Sequence, residues 1–217
     1  MNLGRRHFLK FIASAISGIQ VESIPGIYKS PSLFVDKKLG FGFNIPLGWH
    51  LEAFRDDFSK LLGGQKLAES YANDKEVLED LGQGLMATLS KYPLEESTPK
   101  RFSPSISFFK DTDDCLSEYE DLLDLSSHAL LGFSEVLTDY ECIEVPMYLD
   151  RDDCIIVRSK SKFLFEHEEL DSSLIDDETF LIHHEGAIYT IHLYDSPYIG
   201  DTSQNEFDLF KKSLHIA

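Results

Sequence analysis

Positive charge is scarce in this sequence: 20 lysines and arginines stand against 38 aspartates and glutamates, a formal net charge of -18 over 217 residues. A body this acidic repels phosphate backbones and anionic lipid headgroups, so no nucleic-acid partner is expected. Long hydrophobic runs are missing too. The apolar stretch near the start, Phe11 to Ile19, is far shorter than the roughly 20 residues that span a bilayer, so no transmembrane helix is expected. Cys115, Cys142 and Cys154 lack the close spacing of a zinc or redox motif, and three cysteines cannot all pair within one chain. They read as buried small apolar residues, with their disulfide state open. There is no Walker loop, no G-x-S-x-G elbow and no H-E-x-x-H. Gly82-Gln83-Gly84-Leu85-Met86-Ala87 follows a helical pattern and precedes a strand, the reverse of a dinucleotide loop. No catalytic, cofactor-binding or metal-binding residue is assigned, and the cofactor is unknown.

What the chain does have begins at its first residues. Arg5-Arg6-His7-Phe8-Leu9-Lys10 resembles the twin-arginine motif of exported bacterial and thylakoid proteins, with Gly4 where that group usually has Ser or Thr. Arg5, Arg6, Phe8, Leu9 and Lys10 are the residues that carry the likeness, and the weakly apolar stretch behind them suits the same route. The expectation is a signal segment over residues 1–23, with an open cleavage site, a linker over 24–32, and one domain over 33–217. The partner implied is the twin-arginine translocase, and the location is the periplasm or another exported compartment.

Hydrophobic content of 42% and aromatic content of 12% suffice for one domain with a core. Phe41, Phe43 and Ile45 alternate with polar or small residues, as do Trp49, Leu51 and Ala53, and Pro46-Leu47-Gly48 turns the chain between these two half-buried strands. A helix is expected over Ala68 to Leu81, then strands over Leu85 to Tyr92 and Ser105 to Phe109, separated by a loop from Pro93 to Pro104. A helix over Cys115 to Leu131 should stop at Gly132. Strands follow near Tyr140 to Val145 and over Cys154 to Phe165, joined by a turn at Asp150 to Asp153, and then a hairpin joined at Glu185-Gly186. Ser203-Gln204-Asn205-Glu206 forms a capping box for a last helix whose Phe207, Phe210 and Leu214 face inward. Short connections between consecutive strands give an α+β fold, a mainly antiparallel sheet packed between helices.

The string from Leu39 to Trp49, LGFGFNIPLGW, resembles the opening hairpin of PsbP-like proteins. Ile188 to Leu193, the polar loop with Asp195-Ser196-Pro197, and the helix from Phe207 to Leu214 resemble that family's closing strand and helix. The resemblance implies a sheet sandwiched by helices and used mostly for binding, as in extrinsic photosystem subunits, a nuclear-transport partner and bacterial adaptors for secreted proteins. It transfers no site residue onto this chain.

Three groups of polar residues remain. With Glu185-Gly186 as a two-residue turn, His183 faces Ile188 and His192 faces Thr179, so His183 and His192 lie about 13 Å apart and cannot share one zinc. His184 reads as a satisfied histidine at the core edge. Asp111-Thr112-Asp113-Asp114 begins like a calcium loop, but Leu116 and Leu122 occupy the positions of its glycine and closing acid, so helix capping accounts for these acids. Arg158, Lys160 and Lys162 alternate with Ser159 and Ser161 and line one strand face about 6.6 Å apart. In a symmetric hairpin Lys162 lies opposite Glu141, and Lys160 and Arg158 lie opposite Ile143 and Val145. Cross-strand pairing explains the three cations, and an anion-accepting or partner-binding face is the sharper reading.

Together these features describe an exported, non-catalytic binding or assembly accessory protein with a protein partner or small anionic ligand. The alternative is a twin-arginine-exported enzyme or cofactor carrier, which a native mass exceeding the denatured mass would reveal. Replacing Arg5 and Arg6 with lysine is expected to retain the protein in the cytoplasm of an exporting bacterial host. Fractionation followed by immunoblotting checks this, and unchanged periplasmic recovery contradicts it.

Overall fold

The computed structural model describes residues 27–30, 32–36, 41–52, 85–92, 102–150, 154–166, 171–196 and 203–216. The signal motif, the helix expected over Ala68 to Leu81, the glycines at 82 and 84, residues 93–101 of the proline-containing loop and residues 151–153 of the turn lie outside them.

Among the described residues, eleven strands form two antiparallel sheets. The smaller takes β1 (Ile27–Ser30), β2 (Leu33–Asp36), β3 (Phe41–Asn44) and β11 (His215–Ile216), in that order. β1 falls within the residues read as linker. The larger sheet holds β4 (His50–Glu52), β5 (Leu85–Ser90), β6 (Ser105–Thr112), β10 (Ala187–Asp195), β9 (Ser173–His184), β8 (Ile155–Phe165) and β7 (Thr138–Leu149), again in spatial order. Among the described residues two α-helices accompany them, α1 (Leu122–Val136) and α2 (Gln204–Ser213).

The proline-glycine turn forms as its residues require. The Trp49 N–H donates to the Pro46 carbonyl at 3.0 Å, and Gly48 takes φ +82°, which a side chain would resist. The strands it joins do not pair, however. β3 pairs with β2 and β11, whereas β4 pairs with β5, so the turn carries the chain from one sheet to the other and the expected opening hairpin is corrected. Burial explains the switch: Phe43, Ile45 and Trp49 all enter one core shared by both sheets. At the far end of the chain, Glu185 and Gly186 both adopt positive φ, 47° and 74°, giving the two-residue hairpin between β9 and β10 in the expected register.

One face of the large sheet is apolar. Leu89, Ile106, Phe108, Ile182, Ile191 and Leu193 present it to Phe34 and Phe43 of the small sheet and to Phe207 and Phe210 of α2. Phe43 stacks on Phe34 at 4.9 Å and on Phe108 at 4.5 Å, and Phe210 meets Phe43 and Phe108 edge-on at 5.4 Å. The opposite face packs a 3-10 helix (Asp113–Glu118) and α1 through Cys115, Leu122 and Leu125 onto Val157, Leu181 and Ile188.

Three local expectations are corrected. The helix expected over Cys115 to Leu131 is broken at Asp121, whose extended backbone and side chain, accepting from the Asp124 N–H at 2.8 Å, start α1 afresh. Gly132 does not stop it, because continuing buries Phe133, which outweighs the roughly 1 kcal/mol propensity cost of glycine. The Ser203 hydroxyl makes no cap. It accepts from Lys91 Nζ at 3.3 Å, and Glu206, its expected partner in the box, pairs with the same ammonium at 3.1 Å. The Ser203 N–H is held by Asp195 Oδ2 at 2.9 Å, so Lys91 and Asp195 fix the entry to α2. Cys115 is buried as expected, but Cys154 is half-buried and Cys142 exposed, and all three are free thiols.

Trp49 is 6% exposed and meets Phe207 edge-on at 5.8 Å. Trp49→Ala is expected to destabilise by about 3–5 kcal/mol through lost burial and a cavity. Its indole N–H has no hydrogen-bond partner, so Trp49→Phe should cost less, under about 1.5 kcal/mol. Denaturant melts of the two variants check the order.

Candidate functional site

On β8, Arg158, Lys160 and Lys162 do share one face, that of α2. Their cross-strand partners differ from a symmetric hairpin at two of three positions. Lys162 lies opposite Glu141, but β7 carries register shifts at three points, so Lys160 falls opposite Glu144 and Arg158 opposite Met147. Each cation thereby reaches a carboxylate. Lys162 pairs with Glu141 and Lys160 with Glu144, both at 2.8 Å, while Arg158 bridges Glu144 at 2.9 Å and Glu178 at 2.7 Å. Glu178 also takes Lys211 of α2 at 2.9 Å. The Lys160 hydrogen bond holds the Glu144 carboxyl below its ordinary value, against burial. Burial alone would lower the Lys211 ammonium, but its hydrogen bonds to Glu178 and Asp208 raise it. The stripe is thus an ion-pair ladder tying α2 to three strands.

β7 ends the large sheet, and beyond the ladder its side chains are apolar and open to solvent. Ile143, Met147 and Tyr148 are about half exposed, Val145 is 73% exposed, and Ile155 at the start of β8 adds to them. Pro146 and the register shifts interrupt the edge, the devices that limit uncontrolled pairing of edge strands.

The α1 face of the sheet carries a different chemistry. Two lateral rows of polar residues cross the central strands: Ser90, Ser105, Tyr194, Asp177 and Ser161 in one, Thr88, Ser107, His192, Thr179 and Ser159 in the next. Every one of them is buried. At the centre, the Thr179 hydroxyl donates to Asp177 Oδ2 at 2.7 Å, so its oxygen accepts from His192 Nδ1–H at 3.0 Å. Asp177 Oδ1 stands 3.4 Å from that nitrogen, and the Tyr140 hydroxyl interacts with the Ser161 side chain. Burial pushes the Tyr140 phenol well above its ordinary value. Between this layer and α1 lies a cavity of about 20 Å³, floored by Ser159, Thr179 and His192 and walled by Phe109, Leu125 and Phe133.

His183 and His192 sit where the hairpin register puts them, far apart, and His183 is held by Asp113 at 3.3 Å. His184 is half-buried, and its Nε2 has no hydrogen-bond partner among the described residues. Among the described residues no group of three or more His, Cys, Asp or Glu is placed to hold a metal, and no helix is long and apolar enough to cross a membrane. Composition alone does not separate a buried hydroxyl from a solvated one, so the layer has no compositional signature of its own. A usable signal lay in β8, where cations on one face left only small hydroxyls for the other, and in the facing of His192 and Thr179.

No protein-family model matches the chain, and neither does any curated protein sequence. Its structure is similar to the solution structure of cyanobacterial PsbP (CyanoP) from Synechocystis sp. PCC 6803, with a TM-score of 0.52 and 17% sequence identity over 91% of this chain and 99% of that one. The fold is α+β and PsbP-like.

Glu178 is the hub of the ladder and is 13% exposed. Glu178→Gln should strand Arg158 and Lys211 with weaker partners and cost about 1.5–3 kcal/mol. Urea unfolding with the double cycle Glu178→Gln and Lys211→Gln checks this, and additive single effects contradict a shared interaction.

Proposed function

We propose that this chain is an exported, non-catalytic binding or assembly accessory protein that engages a protein partner through the edge strand β7. The observation that carries the reading is the apolar character of that edge: Ile143, Val145, Met147 and Tyr148 are exposed on the strand that ends the large sheet. Contiguous exposed apolar residues mark interaction surfaces, because leaving them in water forgoes the burial that an interface supplies. The net charge of -18 keeps copies apart and favours a partner whose rim is neutral or basic. The PsbP-like fold is compatible with binding use, since folds of this kind present sheet edges and loops on a rigid sandwich. Export by the twin-arginine translocase to the periplasm is part of the same proposal and rests on Arg5, Arg6, Phe8, Leu9 and Lys10.

A photo-crosslinking residue at Val145, in cells of the exporting host, should give a discrete adduct that the same residue at the equally open Leu209 of α2 does not give. Excess unlabelled wild-type protein should compete the adduct away, and the Val145→Glu variant should not. Equal labelling at both positions, or none at either, rejects the edge as a docking surface.

A further inference from the structure

We propose that the segment received by the β7 edge is cationic, a stretch of the partner protein whose apolar centre is bracketed by lysines or arginines. The inference rests on the reading of β7 as a docking edge and adds the chemistry of the occupant.

Charge selects that occupant. From Ala129 to Asp150, the end of α1 and the whole of β7, the chain contains no lysine, arginine or histidine, but it contains the acids Glu135, Asp139, Glu141, Glu144 and Asp150. The ladder from β8 accounts for two of them. Lys162 pairs with Glu141, and Lys160 and Arg158 pair with Glu144. Glu135, Asp139 and Asp150 are exposed, and no cation among the described residues pairs with Glu135 or Asp139. These remaining carboxylates stand at the two ends of the apolar strip. At about 3.3 Å per residue, Asp139 lies roughly 13 Å before Ile143 and Asp150 roughly 10 Å beyond Met147. Glu166 strengthens the first end, where its Oε2 accepts from the Thr138 hydroxyl at 3.3 Å.

A segment laid along β7 therefore passes a carboxylate, then apolar side chains, then a carboxylate again. Removing Ile143, Val145 and Met147 from water supplies affinity, and the flanking charges decide which segment is accepted. Other occupants meet the wrong field. A second copy of this chain, seated edge to edge about a two-fold axis, would set Asp139 and Asp150 against the same acids of its mate. An anionic lipid surface is repelled by the same sign. The partner is held through side chains rather than as an added strand, because Pro146 offers no N–H and the register shifts of β7 interrupt a regular ladder.

The test uses two synthetic peptides with the same Val-Leu-Val-Leu centre, one carrying two arginines at each end and the other two glutamates. Each is titrated against the full chain by fluorescence anisotropy and amide NMR. The arginine peptide is expected to bind at least about tenfold more tightly at low salt, to shift the amides of Ile143, Val145 and Met147, and to lose most of its advantage in about 1 M salt. Glu135→Gln combined with Asp139→Asn should weaken the arginine peptide about threefold or more and leave the glutamate peptide no weaker. Asparagine accepts the positive φ of 52° at position 139, so this variant keeps the backbone. Equal affinity for the two peptides, an advantage that survives salt, shifts confined to other surfaces or no binding of either peptide overturns the cationic occupant. The crosslink at Val145 separates this failure from that of the docking edge itself. An adduct undiminished in the Gln and Asn double variant keeps the edge and overturns its cationic partner, whereas no adduct in the wild-type background removes both.

Discussion

The contact among Phe43, Phe108 and Phe210 joins three parts of the molecule at one point. Phe43 belongs to the small sheet, Phe108 to the centre of the large one and Phe210 to the last helix, and their rings lie within 5.4 Å of one another. Burying three phenyl groups at one point contributes several kcal/mol, on the order of 1.5–3 each, and orders everything attached to them. Because Phe43 must reach this point, β3 cannot fold back onto β4. Because Phe210 must reach it, α2 lies across the sheet and brings Lys211 to Glu178. The ion-pair ladder, and with it the disposition of β7, is therefore downstream of aromatic packing.

Once one face of the large sheet is committed to that core, the other is free to carry different chemistry. α1 covers it with Leu125, Ala129 and Phe133, yet the strands beneath offer hydroxyls, a carboxylate and an imidazole. The two faces differ in what they can do. The aromatic face holds the fold together, and the polar face carries a buried chain of hydrogen bonds from His192 through Thr179 to Asp177.

Much of this was legible in the residues. Alternation placed β5, β8, β9 and β10, and the Glu185-Gly186 turn fixed the register of His183 and His192, because two positive-φ residues in a row leave a hairpin little choice. Local signals failed where tertiary contacts outweighed them. Gly132 reads as a stop but sits inside a helix whose continuation buries Phe133, and Ser203 reads as a cap but gives its oxygen to Lys91. The expected partners of Lys160 and Arg158 slipped because the bulges of β7 have no signature in composition. The buried polar layer escaped because a hydroxyl facing water and one facing a helix are spelled alike.

The pairing of β11 with β3 has a consequence for how the chain comes into being. His215 and Ile216 complete the edge of a sheet whose other strands lie within residues 27–44, with His215 against Gly42 and Ile216 against Phe41. During synthesis that edge of β3 stays bare, and Phe43 lacks its contact with Phe210, until residues 204–216 have left the ribosome. The small sheet therefore closes only after the strands of the large one have been made, so any machinery that handles the chain before then meets an exposed aromatic edge rather than a finished domain.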